Sequence, residues 1–204
     1  MTGIAGTGPD RFGAAIAAID RANADDPTVM TVDGAARPKE LVHAERMTDW
    51  VRRLDPEADE AQLLAARAHH LRRWLSPRTD HPEGRAGYLR WRSAQRKRHA
   101  AEVAEILLAV GYDDELVGRV GAIVTKTGLA HDRDVQVHED ALCLVFLETQ
   151  LEAVTDQLGE EKVVDVLVKT LAKMRPEGIA AARELPLDAR GRRLLERAAA
   201  EHRG

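Results

Sequence analysis

Eight histidines occur in 204 residues, and two of them, His69 and His70, stand side by side in the stretch LAARAHHLRRW. Imidazole is the commonest neutral ligand for Zn, Fe, Co or Ni and titrates near neutral pH. An adjacent pair taken alone is more often two surface or core-satisfied side chains than a ligand pair. Two further features give it weight. His43 lies in ELVHAERMTDWVRRL with Met47, Trp50 and Leu54 at i+4, i+7 and i+11, so it falls on the apolar stripe of a helix rather than opposite it. Glu139 and Asp140 directly precede ALCLVFLE, and an acidic pair entering a buried helix face requires a cation, hydrogen bonds or the helix N-terminal dipole. Charge placement at a helix start accounts for Glu139 better than for Asp140. His43, His69, His70, Glu139 and Asp140 are therefore the residues whose types and placement could serve a metal.

The residues after the histidine pair suit an anion. Arg72, Arg73, Trp74, Arg78, Tyr88, Arg90, Trp91 and Arg92 follow within two helical turns and a short proline-bounded loop. Guanidinium groups bind phosphate oxygens bidentately, and aromatic rings stack on bases. Arg73, Arg78, Tyr88 and Arg92 are the candidate substrate-binding residues. From Arg67 to Arg98 there are ten Lys/Arg and two Asp/Glu, so this segment carries +8 and the rest of the chain −12 of a net −4. A basic patch on an acidic body favours a phosphate-containing small molecule, a nucleotide above all, over indiscriminate nucleic-acid binding. The competing reading is a solvated arginine-rich helix face, with Trp74 and Trp91 as core anchors under stacked arginines. No Gly-rich phosphate loop, GxSxG, HExxH or CxxC is present, so P-loop transfer, serine hydrolysis and zincin chemistry lack their parts.

Positioning these groups falls to helices. Periods near 3.6 dominate, alternating patterns are scarce and aromatic residues make up 3%, which predicts an all-α fold. The spacing predicts a first helix from Pro9-Asp10 to NADDP, a loop holding Gly34, and a second helix with Pro38 in its first turn, stopping before Asp55-Pro56. A third helix is expected over about residues 57–76 and carries the histidine pair, whose members point about 100° apart and could border one cleft. A fourth runs from about Gly87 to Val110 with Gly111 after it, a fifth ends near Gly128, and a sixth spans about Val135 to Leu158. Two or three amphipathic helices follow. The length suits one domain over residues 9–204 after a flexible tail, residues 1–8. Cys143 lies inside ALCLVFL and reads as a buried small hydrophobe. Neither a signal peptide nor an apolar run of eighteen is present, so a cytoplasmic protein that makes no use of a membrane is expected.

The order of a His, a His-X pair about 26 residues later and an Asp about 70 residues further on resembles the HD superfamily of metal-dependent phosphohydrolases. The resemblance implies that His43 is the first ligand, His69 the His of the pair and Asp140 the last. The pair's Asp is replaced by His70, which leaves three imidazoles and a carboxylate, a set suited to a borderline metal (Zn, Fe, Mn, Co or Ni, in undetermined number) rather than Mg²⁺ or Ca²⁺. IVTKTGLAHDRDVQVHEDALCL is similar to the stretch leading to that Asp in small nucleotide-acting members, with Lys126 where another His often stands, which gives Lys126 a catalytic candidacy. Nearly the whole chain, from FGAAIAAIDRANADDP through ERMTDW, ARAHHLRRW, GYLRWR and CLVFLE to LVKTLAKM, is similar to a bacterial and fungal family described as domain of unknown function 4202. Many members of that family have Gln at the position of His69, which makes His70 the more essential imidazole.

With the resemblance, these readings imply a metal-dependent phosphohydrolase acting on a nucleotide or small phosphoester, with His43, His69, His70 and Asp140 as metal ligands and Glu139, or with less support Glu45, as general base. Two alternatives stay open. One is an HD-type di-iron oxygenase using His99 and His131 as additional ligands; the other is a non-catalytic helical module that binds a nucleotide or RNA.

Overall fold

The computed structural model describes residues 10–203 and bears out the all-α class, with ten α-helices and one small hairpin among the described residues. The expected tail, residues 1–8, lies outside the described residues. The chain forms two compact units. The first comprises the residues up to Thr48 with Ala58–Thr127, and the second Asp49–Glu57 with Gly128 onward.

In the first unit, α1 (Arg11–Ala24) is followed by β1 (Val29–Val32), β2 (Ala35–Pro38), the start of α2 (Lys39–Leu54), α3 (Glu60–Arg67), two single-turn 3-10 segments (Arg73–Leu75 and Arg78–Asp80), α4 (Gly84–Ala109) and α5 (Asp114–Thr125). Short polar side chains set the helix starts. Asp10 accepts from the Gly13 N–H at the head of α1 and Asp113 from the Leu116 N–H at the head of α5. Asp59 and Gln62 form a reciprocal capping box on α3, satisfying two amides that the helix itself leaves without partners. Ile19, Leu64, Leu107, Val120 and Ile123 are fully buried in this unit. Arg67 clamps Asp20 across α3 and α1.

The second unit holds the end of α2, then α6 (Arg133–Thr149), α7 (Leu151–Leu158), α8 (Glu160–Leu171), α9 (Pro176–Arg183) and α10 (Ala189–Arg203). Leu144, Leu147, Val163, Leu167 and Leu194 are buried to 1% exposure or less. Arg133 grips the buried Asp55 with two bonds of 2.8 and 3.1 Å. Among the described residues no helix is long and apolar enough to cross a membrane.

Four expected boundaries move. The loop around Gly34 is a hairpin in which Val32 pairs with Ala35, and Asp33 and Gly34 both have positive φ, 50° and 78°, as the tight two-residue turn between twisted strands requires. Pro38 closes β2 opposite Val29 instead of opening α2. The expected long sixth helix is two, parted at Gln150 (φ −129°). The third helix stops at Arg67, so the histidine pair stands beyond its end.

Candidate metal centre

The end of α3 is where the site is built. After Ala68 the chain tightens into successive turns, with the His69 N–H donating to Ala66 O, Leu71 N–H to Ala68 O and Arg73 N–H to His70 O. Arg72 is left-handed (φ 48°, ψ 39°), a conformation that costs a non-glycine residue about 1–2 kcal/mol. Such strain persists where the surroundings over-determine it, and here they do. The buried Asn23 of α1 accepts the Arg72 N–H at 3.0 Å, Arg98 donates to Arg72 O at 2.9 Å, and Gln95 donates to Arg73 O at 3.2 Å. Side chains from α1 and α4 thus replace the bonds that a longer α3 would have made, and aim His69, His70 and Arg73 in place of a regular helical progression. Replacing Asn23 with Ala is expected to cost about 1–3 kcal/mol, read as a lower denaturation midpoint in urea; an unchanged midpoint would show that the turn holds itself.

His70 faces the head of α2. Glu40, in the first turn of that helix, is only 6% exposed, and its own N–H is tied to Asp26 at 2.9 Å. Its Oε2 lies 3.2 Å from His70 Nδ1 and 3.5 Å from His43 Nδ1. Donor atoms of Glu40, His43 and His70 all fall within 4.8 Å of one another. A tetrahedral ion with ligand bonds of 2.0–2.1 Å has ligand–ligand edges of about 3.3 Å, so the two measured edges already match that figure. Two nitrogens and one carboxylate oxygen suit Zn, Mn, Fe or Co, and exclude the oxygen-only shell that Ca²⁺ takes.

His69 is buried and its ring lies 4.0 Å from that of His70 at 35°, a stacking neighbour of the triad. His99 of α4 is buried, with its ring 5.9 Å from His70 and no hydrogen-bond partner for Nε2. On the remaining side of His70, Arg73 Nη1 approaches Nε2 at 2.9 Å. A guanidinium can only donate, so Nε2 accepts and the ring proton sits on Nδ1, donated to Glu40. Burial first, then the charges of Arg73, His99, His43 and Lys126, hold His70 well below the ordinary imidazole value. Burial, followed by Arg98 and Arg73, pushes His99 down to about 3. Both rings are therefore neutral near pH 7, the protonation state a metal ligand needs.

The other candidates divide between the two units. Arg73 stacks on the buried Trp91, its Cζ 4.8 Å from the ring, the arrangement expected of a core anchor under an arginine. Tyr88 is 43% exposed and carries Arg92 over its ring at 5.6 Å. Arg78 donates to the His81 carbonyl at 2.8 Å. Lys126 caps α5 in a left-handed conformation (φ 63°) and contributes to the field at His70. Glu45 is held bidentately by Arg37 at 2.8 Å. In the second unit, His131 is an exposed turn residue, while Glu139, Asp140 and Cys143 are buried in α6. Asp140 Oδ1 accepts from Gln136 Nε2 at 2.9 Å and from the Arg175 N–H at 3.1 Å; its Oδ2 accepts from Arg175 Nε at 2.9 Å.

Glu40 is the donor that sequence reasoning missed. Its signal was the i, i+3 spacing from His43, which puts both on one face of α2. Nothing in the sequence around it shows that His70, 30 residues away, meets it.

No curated protein and no solved structure matches the chain. The family model described as Domain of unknown function (DUF4202) matches residues 13–195, a span that takes in Asn23, Glu40, His43, His70, Arg73 and His99, and the chain belongs to that family.

Proposed function

We propose that the protein is a metal-dependent phosphohydrolase acting on a nucleotide or small phosphoester, with Glu40, His43 and His70 as the metal donors and an HD-like ancestry for the helical site. The observation that carries this reading is the placing of Glu40 Oε2 at 3.2 and 3.5 Å from two imidazole nitrogens with a guanidinium 2.9 Å from the far side of one of them. A divalent ion held there supplies Lewis acidity toward a phosphoryl oxygen and a lowered pKa for water. Arg73 and Arg92 offer the donors for phosphate oxygens, Lys126 adds positive field, and the exposed Tyr88 ring offers a face on which a base can stack.

The test is metal analysis of the full chain as purified, followed by phosphate release from a panel of nucleoside mono-, di- and triphosphates before and after chelation. Release is expected to need the metal and to be lost in Glu40→Gln, His43→Ala and His70→Ala. Release that persists in the variant lacking all three donors would overturn the reading. His99 favours one further possibility. A neutral, buried imidazole beside His70 is what a second metal would use, and iron at two equivalents per chain with oxygen consumption would point to the di-iron oxygenase instead.

A further inference from the structure

We propose that Arg73 is a resident cation that metal displaces from His70, and that its released guanidinium then binds an oxyanion of the substrate, so that metal and phosphate are taken up in that order and cooperatively. The inference rests on the metal reading of the same site and adds to it a substrate class and a sequence of binding.

Both ring nitrogens of His70 are engaged, Nδ1 with Glu40 at 3.2 Å and Nε2 with Arg73 at 2.9 Å. A metal bound at Nε2 takes the atom that Arg73 now uses. A metal bound at Nδ1 forces the single ring proton onto Nε2, where it faces the Arg73 N–H, donor against donor. On either route the Arg73–His70 bond breaks. The second support goes at the same time, because Glu40 is the foremost charge acting on Arg73, ahead of the Tyr88 phenol, Arg92 and Arg98, and a Glu40 that ligates metal no longer serves the guanidinium. Arg73 is then a half-buried cation among cations, stacked on Trp91, and leaving it without an acceptor is costly. A tetrahedral oxyanion restores two parallel hydrogen bonds in the fork geometry that guanidinium presents. A terminal phosphoryl group, with several free oxygens on one centre, can reach the metal and Arg73 together.

The experiment is a Co²⁺ titration of the full-length protein, followed by visible absorption, with and without inorganic phosphate, in the wild type and in Arg73→Met. Phosphate is expected to tighten Co²⁺ binding to the wild type by about fivefold or more. Arg73→Met should bind Co²⁺ more tightly than the wild type when phosphate is absent, since no cation has to leave, and should lose the phosphate effect. Weaker Co²⁺ binding by Arg73→Met, or a phosphate effect that survives in it, overturns the proposal. A second measurement on the wild type does not depend on the variant folding. Arg73 should react faster with phenylglyoxal after Co²⁺ loading and be protected again by phosphate, mapped by mass spectrometry; equal rates with and without Co²⁺ overturn the proposal. Co²⁺ binding that requires His70 but is indifferent to phosphate removes only this inference, whereas a wild type that binds no Co²⁺ removes the metal reading and this inference with it.

Discussion

In the His70→Ala protein, Co²⁺ affinity is expected to fall by more than about 100-fold, whereas in His69→Ala it is expected to stay close to that of the wild type. Loss of an outer-shell partner of a metal ligand typically costs 10- to 100-fold, and removing a ligand costs more. The two substitutions delete the same side chain from adjacent positions, so composition and net charge cannot separate them; only placement can. His70 stands 3.2 Å from Glu40 and shares a donor cluster with it and His43, while the His69 ring packs against that of His70 at a 35° tilt. Both variants lose a partly or fully buried ring, so both should lose stability, His70→Ala by the hydrogen bonds to Glu40 and Arg73, about 1 kcal/mol each. Isothermal titration with Co²⁺ and a urea melt on each variant read the two effects separately. Equal losses of affinity would show that the adjacent imidazoles act as a pair, and a loss confined to His69→Ala would reverse their roles. Glu40→Gln is expected to behave as His70→Ala does, because an amide oxygen carries no charge toward the ion.

How much of this could be read in advance depended on whether the deciding interaction was local. Asp10, Asp59 and Asp113 cap helices within four residues of themselves, and those helices begin close to where the polar starts place them. His43 at 3% exposure follows from the same periodicity. The histidine pair was legible as chemistry but misplaced in structure. Its helical pattern continues through LRRW, yet the helix ends at Arg67 because Asn23, 49 residues earlier, and Arg98, 26 residues later, supply the bonds that hold Arg72 left-handed. No window along the chain contains that competition. Glu40 was hidden for the same reason, since its partner at 3.2 Å is 30 residues away. The hairpin was a different kind of miss, for the Asp33-Gly34 signal was present and local, but only four residues stand on each side of it and no alternation of apolar and polar residues announces them.

Asp140 supplies the second large effect, through its bond to Arg175. The carboxylate is 0% exposed and packs against α9 closely enough that a Cβ on Gly178 would meet its Cγ at 3.0 Å. Burial pushes its pKa above the ordinary carboxylate value, and the hydrogen bonds from Arg175 and Gln136 oppose that push. Arg175→Met removes the stronger of the hydrogen-bond partners that oppose burial and leaves the folded-state value further above the unfolded value of about 3.9. A group whose folded pKa is raised contributes stability that is complete below the unfolded value and lost as pH rises through the folded one. The Arg175→Met protein should therefore be nearest the wild type close to pH 4 and fall behind toward neutrality, where the deficit reaches about 3 kcal/mol. For a chain of this size that is a melting temperature lower by about 6–12 °C. Adding Asp140→Asn removes the titrating group and should abolish the extra pH dependence, which a general packing defect at Arg175 would leave in place. The same Asp140→Asn protein reports on the metal. Gln136, the Arg175 guanidinium and the Arg175 N–H already engage both carboxylate oxygens, so its Co²⁺ affinity is expected to match the wild type; a loss as deep as that of His70→Ala would make Asp140 a ligand and extend the donor set beyond Glu40, His43 and His70.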